Sequence, residues 1–361
     1  MKVTIVGAGS AGLASAIALR AGTKADVTIL ERAKEGDAPG LGLGLLPYAL
    51  QMISLRDFPA YANSFTPIGR TVEVFAGQLG GDVVRQTRFQ DVQYVGVKRA
   101  DLLSFLTAAA TKQGATIRYG EDVTEARIRE EKDAADILIG ADGAGSQVRA
   151  TFAEHFAPRS AEAKSRFAWL ELEGHLDHFM FGYIYVGGRG LIRITAYPYT
   201  RTESTAIVTH SVGWSKHLDQ PGYLDADGSI SAAGLQELND VFAAGIGNRR
   251  LVGRARWRTF RATQCKHAAF DNVALVGDAF ATLHFETGWG TSAAIQEASM
   301  LGHALLQARS AKASLQVYND KVTELQRGAI MATAKTMREI DAQSARFFKL
   351  GPAKFLESRT A

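Results

Sequence analysis

The sequence predicts an α/β fold in three parts: a helix-flanked parallel sheet, an antiparallel sheet interleaved with it, and helices that close the chain. Three observations carry this prediction. A buried-looking apolar run at residues 3–6 leads into Gly7, Gly9 and Gly12 and then an apolar helix. Two later strand ends, around Asp142 and Asp278, repeat the pattern of acid, glycines and helix. Between them, residues 167–212 alternate with period two and carry aromatic side chains on one face.

The first turn is G-x-G-x-x-G after a strand and before a helix whose inner side is Ala14, Ala16, Ile17, Ala18 and Leu19. A second strand at residues 27–30 ends in Glu31, nineteen residues after Gly12. Each part has a physical task. Gly7 permits the tight turn, Gly9 lets a pyrophosphate approach the backbone, and Gly12 lets helix and strand pack closely. The helix start offers unpaired N–H groups and the positive end of its dipole, and Glu31 can accept hydrogen bonds from a ribose diol. The context is Rossmann-like, but it does not separate FAD from NAD.

Composition excludes several classes. The chain has 361 residues, 46% hydrophobic and 22% charged, an ordinary globular balance with room for two domains. A single cysteine, Cys265, rules out an intrachain disulfide, and with a core strand at the N-terminus this leads to an expected cytoplasmic location. No apolar run reaches the roughly 18 residues that a membrane span needs. A net charge of +4 is too mild to indicate nucleic acid and suits anionic small ligands.

Past Glu31, Gly40, Gly42 and Gly44 are read as a flexible loop where backbone can approach a flat ligand, followed by a short helix from Pro47. Strands are expected at 71–75 and 92–97, then a helix opened by Arg99 and running to about 113. Further strands are expected at 115–119, 123–128 and 135–139. In the period-two region Phe179, Phe181, Tyr183 and Tyr185 share a face, as do Arg193, Thr195, Tyr197 and Tyr199, and a third strand covers 204–210. This face reads equally as an ordinary packed surface or as the wall of a site for a planar molecule. Arg254, Arg256 and Arg258 alternate as on one strand face, either a solvated edge or a dock for a phosphorylated cofactor or substrate. A strand at 272–277 leads to Asp278 and a helix beginning near Gly290 and Thr291. In the last fifty residues Val322, Leu325, Ile330, Met331, Ala334, Met337 and Ile340 are read as the apolar positions of a helical cover or oligomer contact. The histidines and carboxylates show no metal-ligand spacing, and Ser146 lacks the G-x-S-x-G setting of a hydrolase nucleophile.

Taken together, Gly7-x-Gly9-x-x-Gly12, Asp142-Gly143-x-x-Ser146-x-Val148-Arg149 and Gly277-Asp278 resemble the single-component FAD-dependent aromatic hydroxylases, the para-hydroxybenzoate hydroxylase class. Arg99 with Leu102 and Leu106 resembles the arginine-led helix of that family. There is a departure. Ala281 stands where the family usually has a histidine, and His284-Phe285 replaces a Pro-Pro pair. His284-Phe285 with Gly288-x-Gly290-Thr291 resembles a narrower branch, that of salicylyl-CoA and anthraniloyl-CoA hydroxylases and the violacein-pathway tryptophan hydroxylase. The Trp-x-Trp-x-Ile-Pro signature of flavin-dependent halogenases is absent, and an oxidase or dehydrogenase on the same scaffold is the other alternative.

The resemblance implies an FAD-binding domain over 1–66, 96–165 and 262–310, a substrate domain over 67–95 and 166–261, and C-terminal helices over 311–361. It implies hydroxylation of an electron-rich aromatic substrate, an indole or an aromatic acid or its CoA ester, using O2 and NADPH or NADH. In that chemistry reduced FAD and O2 form a C4a-hydroperoxide whose terminal oxygen passes to the ring. The implied cofactor residues are Gly7, Gly9, Ala11 and Gly12 at the pyrophosphate, and Glu31 with Arg32 at the AMP ribose. Arg99 and Asp278 would face the phosphates or ribityl chain, Gly288, Gly290 and Thr291 the flavin ring, with Gly44, Val123 and Asp142 also facing the cofactor. His284 is the expected side chain at the substrate, with Tyr185 and His210 as further catalytic candidates.

Overall fold

The computed structural model describes residues 1–37, 40–52, 64–307 and 310–359. Its strands are β1 (Lys2–Val6), β2 (Asp26–Glu31), β3 (Gly42–Leu45), β4 (Thr66–Gln78), β5 (Val83–Phe89), β6 (Tyr94–Lys98), β7 (Thr116–Tyr119) and β8 (Ile137–Gly140). The second half adds β9 (Arg159–Glu173), β10 (His178–Val186), β11 (Gly190–Pro198), β12 (Ser204–His210), β13 (Arg250–Val252), β14 (Arg258–Gln264), β15 (Ala269–Phe270) and β16 (Val273–Leu275).

One sheet has the order β15-β16-β8-β1-β2-β7 and is parallel except for β15. Its central strands are buried on both faces, so they carry unbroken apolar runs: Val3, Ile5, Ile29, Ile139 and Leu275 have no exposed surface. Helix Ser10–Gly22 follows β1, and helix Gly290–Gln307 packs across it. Their approach depends on Gly302, where a Cβ would lie 2.9 Å from the Ala18 side chain.

The larger sheet runs β13-β9-β12-β11-β10-β4-β6-β3, with β14 also on β9 and β5 also on β4. Register decides which side chains meet. Phe181 pairs with Thr195, Thr195 with Ile207, and Ile207 with Trp169, so these four form one row on one face. The opposite face packs on helix Ala232–Ile246 through Ile194, Val208, Phe242 and Ile246.

The C-terminal helix Ala311–Glu357 lies against both sheets. It breaks at Gly351 (φ 70°), just before Pro352, whose ring cannot continue the hydrogen-bond ladder. The buried stripe runs through Leu315, Tyr318, Val322, Ala329, Met337, Ile340 and Phe347. Leu325 and Met331, expected among the apolar contacts, are 41% and 66% exposed, because they fall on the opposite side of the helix.

Three other expectations are corrected. Residues 123–128 do not form a strand: Thr124 caps helix Glu125–Ala134, accepting a hydrogen bond from the Arg127 N–H. Ion pairs Glu125–Arg129 and Arg127–Glu131, one helical turn apart, favour the helix. The glycine loop at 40–44 contains a strand, β3, because Gly42 accommodates the Tyr199 ring, which a Cβ would approach to 1.9 Å. Arg254 and Arg256 precede β14 rather than sharing a strand with Arg258, and both pair with Asp227.

Candidate active site

A cavity of about 370 Å³ lies between the two sheets. Its floor is built from chain turns. Helix Ser10–Gly22 has Gly9 at its N-cap, without a side-chain cap, and Gly9, Ser10 and Ala11 line the cavity. The first N–H groups of that helix therefore stay available to a ligand. Gly7 adopts φ +102°, and a Cβ on Gly12 would lie 1.9 Å from the Gly7 carbonyl oxygen. A Cβ on Gly9 would meet nothing within 4 Å, so the backbone there is open to approach.

Glu31 closes this end. Its carboxylate accepts hydrogen bonds from the N–H groups of Ala8 (2.6 Å) and Ala33 (2.8 Å), which ties the end of β2 to the glycine turn. Arg32 is exposed beside it. Val123 is buried in the core and does not line the cavity.

The second turn departs from expectation in its side chain. The Asp142 carboxylate accepts from the Ser146 hydroxyl (2.6 Å) and the Gln147 and Val148 N–H groups (2.6 and 3.2 Å). It fastens its own turn, and the neighbouring Ala141 and Gly143 face the cavity instead. Arg149, from the same motif, donates to the carbonyls of Asp278 (3.2 Å) and Ala279 (2.9 Å), joining the second turn to the third.

The third turn brings Asp278, Gly288, Gly290 and Thr291 to the cavity wall, with Arg99 and Gly44 from the large sheet's side. Asp278 opens onto the cavity but is otherwise enclosed by protein. Burial lifts its carboxyl to about 6, against the opposing pull of Arg99 and Arg149. The Arg99 Nε is buried without a hydrogen-bond partner. Behind the turn, Glu297 is 2% exposed and accepts from the Gly277 N–H at 2.6 Å, and burial pushes its carboxyl up to about 8.

The roof is the row Phe181, Thr195, Ile207 and Trp169, extended by Phe179, Tyr197 and Phe285. Glu286 supplies the roof's carboxylate, with 14% of its side chain exposed. It forms an ion pair with Arg193, which is 5% exposed and also donates to Gln343 Oε1 (3.0 Å) of the C-terminal helix. Burial lowers the guanidinium to about 10, so it is still charged at neutral pH.

The three expected catalytic side chains lie outside this cavity. His284 is 1% exposed, with its ring against Phe260 and Phe285 (centroids 4.4 and 4.3 Å). Burial, then the charge of Arg193, lowers it to about 3, so it is neutral. Its Nδ1 accepts from the Glu286 N–H at 3.3 Å, so it shapes the turn that presents Glu286. His210 pairs with Ile192 on the opposite face of the large sheet, where its ring meets Trp257 at 4.8 Å. It sits three residues beyond Ile207, and strand alternation turns it away. Tyr185 shares the face of Phe179 and Phe181 but is covered by the C-terminal helix, stacked on Phe347 at 5.8 Å. Arg193 was legible as a residue of the cavity face. Glu286, two positions after His284, carries no sequence signal of its own.

The cradle suits an extended anionic ligand with a flat end. Two helix starts point into it, the glycines leave the backbone bare, and an unpartnered guanidinium nitrogen faces the same space. The chain matches a family model described as FAD binding domain over residues 1–333, and it belongs to this family. It is 30% identical to a salicyloyl-CoA 5-hydroxylase of Streptomyces sp over 331 residues, covering 89% of this chain and 62% of that protein. It is 27% identical to 3-hydroxy-4-methyl-anthranilyl-[aryl-carrier protein] 5-monooxygenase of Streptosporangium sibiricum, covering 89% and 83%. It is also 26% identical to protodeoxyviolaceinate monooxygenase of Chromobacterium violaceum, covering 90% and 85%. Among solved structures, 2-methyl-3-hydroxypyridine-5-carboxylic acid oxygenase superposes with a TM-score of 0.70 at 20% identity, covering 94% of this chain and 92% of that one, which shows a shared fold.

Proposed function

We propose that this protein is an FAD-dependent monooxygenase that hydroxylates an electron-rich aromatic ring, with O2 and NADPH or NADH as co-substrates. The observation that carries the reading is a single cavity with a glycine-and-helix-start floor for a dinucleotide and an aromatic roof holding one ion-paired carboxylate. The chain spans 62% of its salicyloyl-CoA-hydroxylating relative. That relative and the anthranilyl one act on aryl acids held as thioesters, and an aryl acid or its thioester is the substrate class proposed here.

Bound FAD supplies the redox chemistry and the electrophilic oxygen. Gly9, Ser10 and Ala11 bind its pyrophosphate with backbone N–H groups, and Glu31 keeps lone pairs for the ribose. Arg99 and Asp278 bind along the chain that joins the phosphates to the ring system. The start of helix Gly290–Gln307 lends its positive dipole end to negative charge on the reduced ring. The aromatic row holds the substrate ring and keeps water out.

Glu286 accepts a hydrogen bond from a ring hydroxyl or amino group. Its negative charge, held in place by Arg193, raises electron density on the ring carbon that takes the oxygen. His284 is a positioning residue that acts through the Glu286 backbone. Glu286→Gln is expected to keep bound FAD and the oxidation of NAD(P)H, and to lose about a hundredfold or more of product formation, the usual weight of a proton-handling group. Unchanged product per NAD(P)H would remove Glu286 from the mechanism. Hydrogen peroxide as the sole oxygen product with every arene tested would overturn the monooxygenase reading.

A further inference from the structure

A second cavity, of about 760 Å³, adjoins the first, sharing Leu43, Arg99 and Trp169 in its lining. The sheet order explains where it lies. Trp169 is on β9, at one end of the aromatic row, and β13 and β14 both pair with β9. The second cavity therefore begins where the row ends, at the edge that carries Arg254, Arg256 and Arg258.

Its charge is one-sided: four guanidinium groups line it against two carboxylates, Glu171 and Asp227. Arg254 and Arg256 converge on one oxygen of Asp227, at 2.7 and 3.0 Å. Asp227 is itself anchored by the Ser229 hydroxyl at 2.6 Å. One carboxylate thus holds two forked cations at the rim, leaving their other N–H groups to a ligand. Arg258 has no carboxylate partner among the described residues and lies opposite Phe167 in the β9–β14 register.

We propose that this cavity binds the phosphorylated pantetheine arm of a thioester-linked substrate while its aryl group occupies the first cavity. The proposal rests on the reading of the first cavity as the arene site. Three features favour this occupant. The junction is lined by Leu43 and the Trp169 indole, which suit the apolar and amide stretch of a pantetheine chain. The surplus of arginines lies at the far end, where a terminal phosphate arrives. A free aryl acid would fill only the first cavity and leave the arginines unused.

The test is calorimetric titration of the FAD-loaded protein with CoA, 4′-phosphopantetheine and pantetheine, none of which carries an arene. The expected result is binding of CoA and 4′-phosphopantetheine that weakens with salt, and at least about tenfold weaker binding of pantetheine, as loss of a charge-assisted contact implies. Arg254→Gln with Arg256→Gln is expected to lower CoA affinity at least about tenfold and leave pantetheine unchanged. Arg258→Gln, which frees no carboxylate, gives the same direction should the double variant fold poorly. CoA tighter than 4′-phosphopantetheine assigns the site to free CoA esters, and equal affinities assign it to the arm alone, as borne by a carrier. No binding of CoA, or variants that weaken NADPH rather than CoA, overturns the proposal. Because the titration reads binding only, its outcome is separate from whether the holoenzyme hydroxylates an arene.

Discussion

Replacing Arg193 with leucine tests how the roof of the active site is held together. Arg193 is 5% exposed, and its ion pair with Glu286 is enclosed on one side by the sheet and on the other by the C-terminal helix through Gln343. Removing one partner of a buried pair leaves an uncompensated charge and costs about 3–5 kcal/mol. An independent route gives a similar figure. Glu286 can escape the penalty by taking a proton, and protonating a carboxyl of ordinary pKa at pH 7 costs about 3.7 kcal/mol. The loss is therefore about 3–4 kcal/mol, a large part of the ~5–15 kcal/mol that holds a typical domain folded. The double variant Arg193→Leu with Glu286→Leu removes both charges and is expected to recover most of it. Urea unfolding at pH 7, followed by circular dichroism, reads the difference as a shift in midpoint at constant slope. A single variant that loses less than about 1 kcal/mol, or a double variant no better than the single, would refute the claim that this pair is buried and mutually dependent. Neither variant is expected to form hydroxylated product at the parent rate, since both lose the oriented carboxylate.

Two further predictions concern the floor. Gly12→Ala places a Cβ at 1.9 Å from the Gly7 oxygen, so the turn must open, and the purified variant is expected to lack the flavin absorbance of the parent. Retention of stoichiometric FAD by that variant would show that the turn is not the pyrophosphate site. The Glu297 carboxyl titrates at about 8 in the folded protein against an ordinary 4.5. The folded state then binds the extra proton between those values, so stability is lost as pH rises from about 4.5 through about 8. Glu297→Gln still accepts from the Gly277 N–H but does not titrate. Its melting temperature is expected to fall less than the parent's between about pH 6 and pH 9, a difference on the order of a few kcal/mol. Parallel melting curves across that range would refute the assignment.

Local patterns made most of the floor legible. Gly7, Gly9 and Gly12 were readable because a tight turn next to a bare backbone admits few residue types. The start of helix Gly290–Gln307 was readable because its glycines precede an apolar period. The shared face of Phe179 and Phe181, and that of Thr195 and Tyr197, followed from strand alternation. Asp142 was harder, because an acid after a strand can face a ligand or fasten its own turn, and the choice depends on where Ser146 and two N–H groups point. His284 was misjudged for a similar reason: its position in the sequence marks the right turn, but packing against Phe260 directs the ring inward and leaves Glu286 to face the cavity.

The sequence by itself therefore determined the class of fold, the dinucleotide-type floor and the period-two wall, all of which rest on contacts or repeats within a few residues. Only the tertiary structure decided which residues act at the roof. Strand register set Trp169, Ile207, Thr195 and Phe181 in one row and turned His210 to the other face. The C-terminal helix covered Tyr185 and left Phe179 open. Arg193 and Glu286 stand far apart in the chain, and their meeting is a consequence of packing that no local pattern encodes.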